Sequence, residues 1–320
     1  MSSDVRTFFV NTAQVMLLTV VIITITFLAI KPDPNHYFAG SLLQISLLEN
    51  TPSPRIILAG GSNVSFGIDA ELMQQTLGLP VINDGLHAGL GLASLRELEE
   101  YIRDGDVIII SLEYNLFANQ DVMDGDPAFL SDWIEYSPHR IKYLSNPWEE
   151  APDIYAIMLQ RKVNRQVNTY LFGGSLNKAR GVFVGTKYDL NGDFIGHLQE
   201  ASMNRQKIPA TPYPVSGLQE GIFVFLENFN QIAHEKGAKV YFEAPASRKS
   251  NCKATGEAQM ADFFKVFKER LSIPILTPFE EVCLPNKYFF DTEYHLNAQG
   301  RELRTKRLIE NWIRVTAASK

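Results

Sequence analysis

The stretch from Phe8 to Ile30 constrains this chain more than any other feature. Its second half, Val15 to Ile30, has no charged side chain, and threonines are its only polar interruptions. About 20 apolar residues cross a bilayer as a helix at ~1.5 Å rise per residue. A helix buried on one side in a soluble core carries a polar stripe, and none runs through this half. A cleavable leader would have a shorter apolar region and a small-x-small site, which is missing before Lys31. The expectation is an uncleaved anchor over residues 1–31. Arg6 and Lys31 flank the span almost evenly. A short amino-terminal tail usually stays inside, so the remaining ~290 residues are expected outside the cytoplasm, on the periplasmic or cell-surface side.

That location bears on the two cysteines, Cys252 and Cys283. An even count in an oxidising compartment permits one disulfide. The alternative is two free buried thiols. The net charge is -6 and the basic residues are scattered, which argues against nucleic acid as a partner.

Residues 32–54, with Pro32, Pro34, Pro52 and Pro54, read as a juxtamembrane connector holding at most a short helix. Regular patterning starts at Arg55. Buried strands are expected at Arg55–Ala59, Val81–Asn83, Asp106–Leu112, Lys239–Glu243 and Ile273–Leu276. Helices are expected at Ala70–Leu77, Leu95–Arg103, Gly217–Lys236, Gly256–Leu271 and Arg301–Val315. The periodicity weakens over about 116–215, which reads as an insertion. Strands alternating with helices predict an α/β domain over 55–320, with a mainly parallel sheet between two helical layers. Ligands in such sheets bind beyond the carboxyl ends of the strands.

Three loops at that edge carry unusual residues. The first strand ends in Gly60-Gly61-Ser62-Asn63 and the third in Glu113-Tyr114-Asn115, and a late loop reads Asp291-Thr292-Glu293-Tyr294-His295. A serine hydroxyl needs a base to take its proton, a carboxylate to orient the base, and donors for the developing oxyanion. Ser62 follows a strand, and His295 has acids on its own loop. Gly85, Gly89 and Asn115 can supply donors. A Gly-Gly-Ser-Asn turn is also an ordinary helix entry, and Asn297 can cap the last helix.

These blocks resemble the SGNH (GDSL-type) hydrolase and acyltransferase superfamily over roughly Arg55 to Val315. The resemblance implies a flavodoxin-like three-layer fold, Ser62 as nucleophile, and His295 with Asp291 activating it. It also implies an oxyanion hole from the Ser62 amide, a glycine of the second block and Asn115. The acid usual before the family's serine is replaced by Gly61. The terminal spacing is one residue longer, so Glu293 competes with Asp291, which is preferred. The second block is also longer, so Gly85 competes with Gly89. The anchored arrangement is similar to proteins of cell-surface polysaccharide O-acetylation and teichoic-acid D-alanylation. It implies serine-dependent O-acyl transfer or ester hydrolysis on an extracytoplasmic glycan or lipid-linked polymer. An integral membrane partner would deliver the acyl group, and no cofactor is expected.

Gly173-Gly174-Ser175-Leu176 is closer to GDSL by letters, but no buried strand precedes it. Val64 removes Gly-x-Ser-x-Gly and with it the α/β-hydrolase elbow. No His/Cys/Asp spacing suggests a metal. Asp189 to Asp193 lacks the closing glutamate of a calcium loop and reads as a turn. The alternative function is a non-catalytic glycan-binding or scaffold subunit, with Trp133, Tyr136, Tyr143 and Trp148 stacking on sugars or packing among themselves.

Overall fold

The computed structural model describes residues 3–173, 181–200 and 209–318. Helix α1 (Ser3–Ala29) contains the apolar run. Its Asp4–Ile25 window is not buried against the rest of the chain. A core helix of this composition would be covered. By length and composition α1 is sufficient to cross a membrane.

The connector turns out to be part of the domain. α2 (Gly40–Asn50) follows a single 3-10 turn, and Tyr37, Phe38, Gln44 and Leu48 are buried. The Tyr37 hydroxyl donates to the Leu86 carbonyl at 2.7 Å, and Gln44 donates to the Gly85 carbonyl at 2.8 Å. Both anchors join residues more than 40 positions apart, so the prolines of this stretch gave no sign of them.

Strands β1 (Ile56–Gly60), β2 (Val81–Asn83), β3 (Val107–Ser111) and β4 (Lys239–Phe242) form one parallel sheet in the order β2-β1-β3-β4. The expected fifth strand shrinks to one parallel bridge, Phe242 to Ile275, at the edge beyond β4. Pro274 lies beside it and has no amide hydrogen to give a ladder. The short β5 (Ser247–Arg248) and β6 (Cys283–Leu284) pair separately.

Along the first half run α3 (Ser62–Gly67), α4 (Ala70–Leu77) and α5 (Ala93–Leu98). The insertion holds α6 (Asn115–Ala118), α7 (Gln120–Asp124), α8 (Pro127–Tyr136) and α9 (Pro147–Phe172). Then come α10 (Glu220–Glu235), α11 (Lys249–Thr255), α12 (Glu257–Arg270), α13 (Phe279–Val282) and α14 (Ala298–Ala318).

The period-2 alternation of the strands sorts two cores. Ile57, Ile108, Ile110, Val240 and Phe242 pack against Leu95, Leu226, Phe229, Phe263 and Phe267 of α5, α10 and α12. Ile56, Leu58, Ile109 and Tyr241 pack against Val64, Met73, Leu308 and Ile309 of α3, α4 and α14. The result is the expected three-layer α/β/α sandwich. Arg55, wholly buried, pins the start of the sheet: it pairs with Asp106 at 3.2 Å and donates to the Tyr101 carbonyl at 2.8 Å. Cys252 and Cys283 form a disulfide that ties α11 to β6.

The insertion adds a third core. Trp133 and Tyr143 are buried in it with Leu130, Ile154 and Phe194, and Tyr136 packs against it. Of the two readings of these aromatics, packing among themselves holds for Trp133, Tyr136 and Tyr143; of the four, Trp148 alone is exposed. The 26-residue α9 was not legible in the sequence. The Asp189–Asp193 turn closes on itself through two amides donating to the Asp189 carboxylate. Ser175 lies outside the described residues.

Candidate active site

β1 ends in Gly60-Gly61, and both glycines are required. Gly60 adopts φ 154°, and a Cβ there would lie 2.0 Å from the Ser111 carbonyl oxygen. Gly61 has an ordinary φ of -86° but no room. A Cβ would lie 2.5 Å from both carboxylate oxygens of Glu113 and 2.8 Å from the Ala88 amide nitrogen. The acid that the family resemblance places at position 61 is absent, and a carboxylate from the end of β3 fills the space instead.

Ser62 is half-buried and opens α3. The next residue, Asn63, is fully buried and held on every side. Its amide donates to Glu113 at 3.1 Å and its carboxamide donates to the Ser111 carbonyl at 3.0 Å. Arg304 of α14 donates to the Asn63 carbonyl at 2.7 Å, and to the Ser111 hydroxyl at 2.9 Å. The strand-to-helix turn carrying Ser62 is thus clamped from β3 and α14.

The late loop folds back through Phe290 N–H donating to the His295 carbonyl at 2.8 Å. Thr292 Oγ1 accepts the His295 amide at 3.0 Å. His295 Nδ1 lies 2.6 Å from Asp291 Oδ1, so Asp291 takes the orienting position. Glu293 uses its backbone carbonyl to accept from Tyr213. With Nδ1–H given to Asp291, Nε2 keeps its lone pair, the tautomer a general base needs. The same loop also serves as a helix entry: the Asn297 carboxamide accepts the Gly300 amide at 3.0 Å.

Phe66 brings the two loops together. It lies one helical turn after Ser62, and its ring stacks on His295 with centroids 4.1 Å apart and 9° between planes. Among the described residues no hydrogen bond joins Ser62 to His295.

The second block runs beside this turn. Gly85 is drawn away from the site, because its amide donates to Asn83 Oδ1 at 2.9 Å and its backbone packs against Val64. The Gly89 amide is taken by His87 Nδ1 at 2.9 Å. Neither glycine amide is therefore open to a ligand. The Ala88 amide, set against Gly61, has no partner among the described residues, and neither does the Ser62 amide. Asn115 Oδ1 is buried without a partner. Ala88 and Asn115 line a cavity of about 450 Å³ together with His87, Gly89 and Phe129; Ser62 and His295 are not among its lining residues. Asp121 and Asp126 of the insertion close its far side. A larger opening of about 560 Å³ between α4 and α14 contains none of these residues.

Two further groups, Glu113 and the half-buried His87, face the same region. Burial pushes the Glu113 carboxyl above its usual range, while Asn63 and His295 pull it back. One of its oxygens, Oε2, has no hydrogen-bond partner. Burial, and the charge His295 can carry, hold the His87 imidazole down to about 4, so it is neutral at ordinary pH. Its ring stacks on Phe129 at 4.0 Å. Glu113, Ala88 and Phe66 had no role in the sequence reading. Phe66 has a usable signal, the four-residue spacing from Ser62. Glu113 has another, an acid at a strand end opposite a glycine where an acid is expected.

No protein-family model matches the sequence, and no curated protein matches it either. Among solved structures the chain is similar to protein YxiM of Bacillus subtilis, with 10% identity and a TM-score of 0.38. The match covers 83% of this chain and 58% of that one, so the chain spans less than two thirds of its neighbour.

Proposed function

We propose that this protein is a serine-dependent O-acyltransferase or esterase, held in a membrane by α1 and acting outside the cytoplasm on a glycan or lipid-linked polymer. The observation that carries the reading is the Asp291–His295 pair at 2.6 Å, stacked on Phe66 one turn from Ser62. The Cys252–Cys283 disulfide supports the oxidising side of the membrane.

In this reading His295 Nε2 takes the proton of Ser62 as Oγ attacks the ester carbonyl. Asp291 stabilises the imidazolium. The Ser62 and Ala88 amides and the Asn115 carboxamide receive the oxyanion. Collapse breaks the ester bond, and His295 returns its proton to the departing alcohol. A sugar hydroxyl then attacks the acyl-serine for transfer, or water for hydrolysis, with His295 again the base. A donor delivered by an integral membrane partner supplies the acyl group.

The test is turnover of p-nitrophenyl acetate, with and without an oligosaccharide acceptor. Ser62→Ala should abolish it with the melting temperature unchanged, and His295→Ala should abolish it too, since the two act as one unit. Full activity in Ser62→Ala overturns the proposal. A carboxyl-terminal reporter active in the cytoplasm overturns the topology.

A further inference from the structure

Helix α9 has two apolar faces and one known partner. One face carries Ile154 and Met158 into the insertion's core. The opposite face carries Trp148 (92% exposed), Tyr155 (37%), Val163 (43%), Val167 (45%), Tyr170 (82%) and Leu171 (72%). At about 100° per residue these six fall within an arc of about 160°. From Tyr155 to Leu171 that arc contains no charged residue. An apolar helical stripe normally faces a core, and this one faces away from it.

Lys162 and Arg165 lie outside that arc and fasten the helix to the end of α1. Lys162 Nζ donates to the Ile30 carbonyl at 2.5 Å, and Arg165 donates to the Lys31 carbonyl at 3.0 Å. Both also pair with Glu135 of α8, at 3.3 and 2.9 Å. Tyr136 donates to the Asp33 carbonyl at 2.6 Å. The chain leaving α1 is therefore gripped by α8 and α9 within two or three residues of the span. α9 thus packs on α1, whose own surface is exposed and apolar like the stripe.

We propose that α9 is a second membrane contact: its stripe lies in the interfacial layer of the bilayer beside α1, with Tyr170 and Trp148 at headgroup depth. Amphipathic side chains of this kind favour that layer, and an interfacial helix buries its apolar face there. With two contacts the catalytic domain has one fixed attitude to the membrane instead of swinging on a tether. The inference rests on α1 being the membrane anchor.

The test uses full-length protein, one copy per lipid nanodisc, with a nitroxide at Val163→Cys or Tyr170→Cys. A label at Val21→Cys in α1 marks the bilayer, and one at Leu190→Cys, 87% exposed, marks water. Labels at 163 and 170 should collide with oxygen several-fold more, and with a neutral nickel chelate several-fold less, than the label at 190. Water-like behaviour at both, with a lipid-like label at 21, overturns the second contact and leaves the anchor standing. A water-like label at 21 overturns the anchor and this inference with it. Shielding from both reagents at 163 and 170 means that protein, not lipid, covers the stripe, and also overturns the proposal.

Discussion

Gly61→Ala tests the strand-to-helix turn most directly, because the backbone there gives glycine no advantage. Its φ of -86° suits any residue, so the cost is steric alone. The new methyl would meet Glu113 Oε1 and Oε2 at 2.5 Å and the Ala88 nitrogen at 2.8 Å. Glu113 is buried and cannot swing into water, and Ala88 is backbone. Displacing Glu113 forfeits its bond to the Asn63 amide, about 1.5–3 kcal/mol for a charged acceptor. Overpacking adds about 1–3 kcal/mol. The sum, about 3–6 kcal/mol, corresponds to a fall in melting temperature on the order of 10 °C. Glu113→Ala alone should destabilise as well, because the Asn63 amide loses its acceptor. The double variant, Gly61→Ala with Glu113→Ala, should recover about 2 kcal/mol relative to the sum of the singles, since the methyl then enters vacated space. Thermal unfolding of the four proteins in detergent, followed by circular dichroism, measures the cycle. A shift below about 2 °C for Gly61→Ala, or strict additivity, would refute the claim that Glu113 occupies the place of a side chain at position 61.

Three other outcomes are expected. Replacing Cys252 and Cys283 by serine should cost about 3–4 kcal/mol, as the sequence separation of 31 sets the loop that the bridge closes; denaturant unfolding of the double variant checks it. Asp291→Asn should lower ester turnover by more than tenfold, whereas Glu293→Gln should stay within about twofold, because only Asp291 reaches His295; equal losses would reverse the assignment. Burial holds the His197 imidazole down to about 4 from an ordinary 6.5, so between those values the unfolded chain binds a proton that the folded one refuses. That contribution to stability is complete above about pH 6.5 and is lost as pH falls towards 4, at up to about 1.4 kcal/mol per pH unit. His197→Gln should flatten the stability–pH curve by that slope in that window, measured as a difference from the parent so that buried carboxylates with the opposite sign cancel.

Much of this was legible because it rests on short-range signals. Four of five strands were read from uninterrupted apolar runs, and Ala70–Leu77 emerges with the expected bounds, fixed by Asp69 capping the Leu72 amide and by Gly78 at φ 69°. The Asp291 spacing was legible because both residues share a loop. Three features were not. The burial of Tyr37 and Phe38 depends on partners in the insertion, a long-range fact that proline content obscured. α9 lacks a single polar face, so the periodicity that betrays an amphipathic helix was blurred by its second apolar stripe. The choice between Gly85 and Gly89 turned on the hydrogen bonds that both amides donate, to Asn83 and His87, which leave Ala88.

The insertion deserves a different description from the one its weak periodicity suggests. Its first part lines the cavity, through Asp121, Asp126 and Phe129. Its later part backs the loop that carries His295. Asp193 accepts from the Ala70 amide at 2.9 Å and pairs with Arg301 of α14 at 2.5 Å, joining the helix after Ser62 to the helix after His295. His197 Nε2–H donates to the Leu296 carbonyl, 2.9 Å away, next to His295. The His197 ring also packs on Phe66, with centroids 4.6 Å apart. Phe66 therefore touches His295 and His197 at once. Its position depends on α3 and on the insertion equally, and His295 stacks on whatever position Phe66 takes. A segment that sets both a cavity wall and the support of His295 is part of the site's frame rather than a lid added to it.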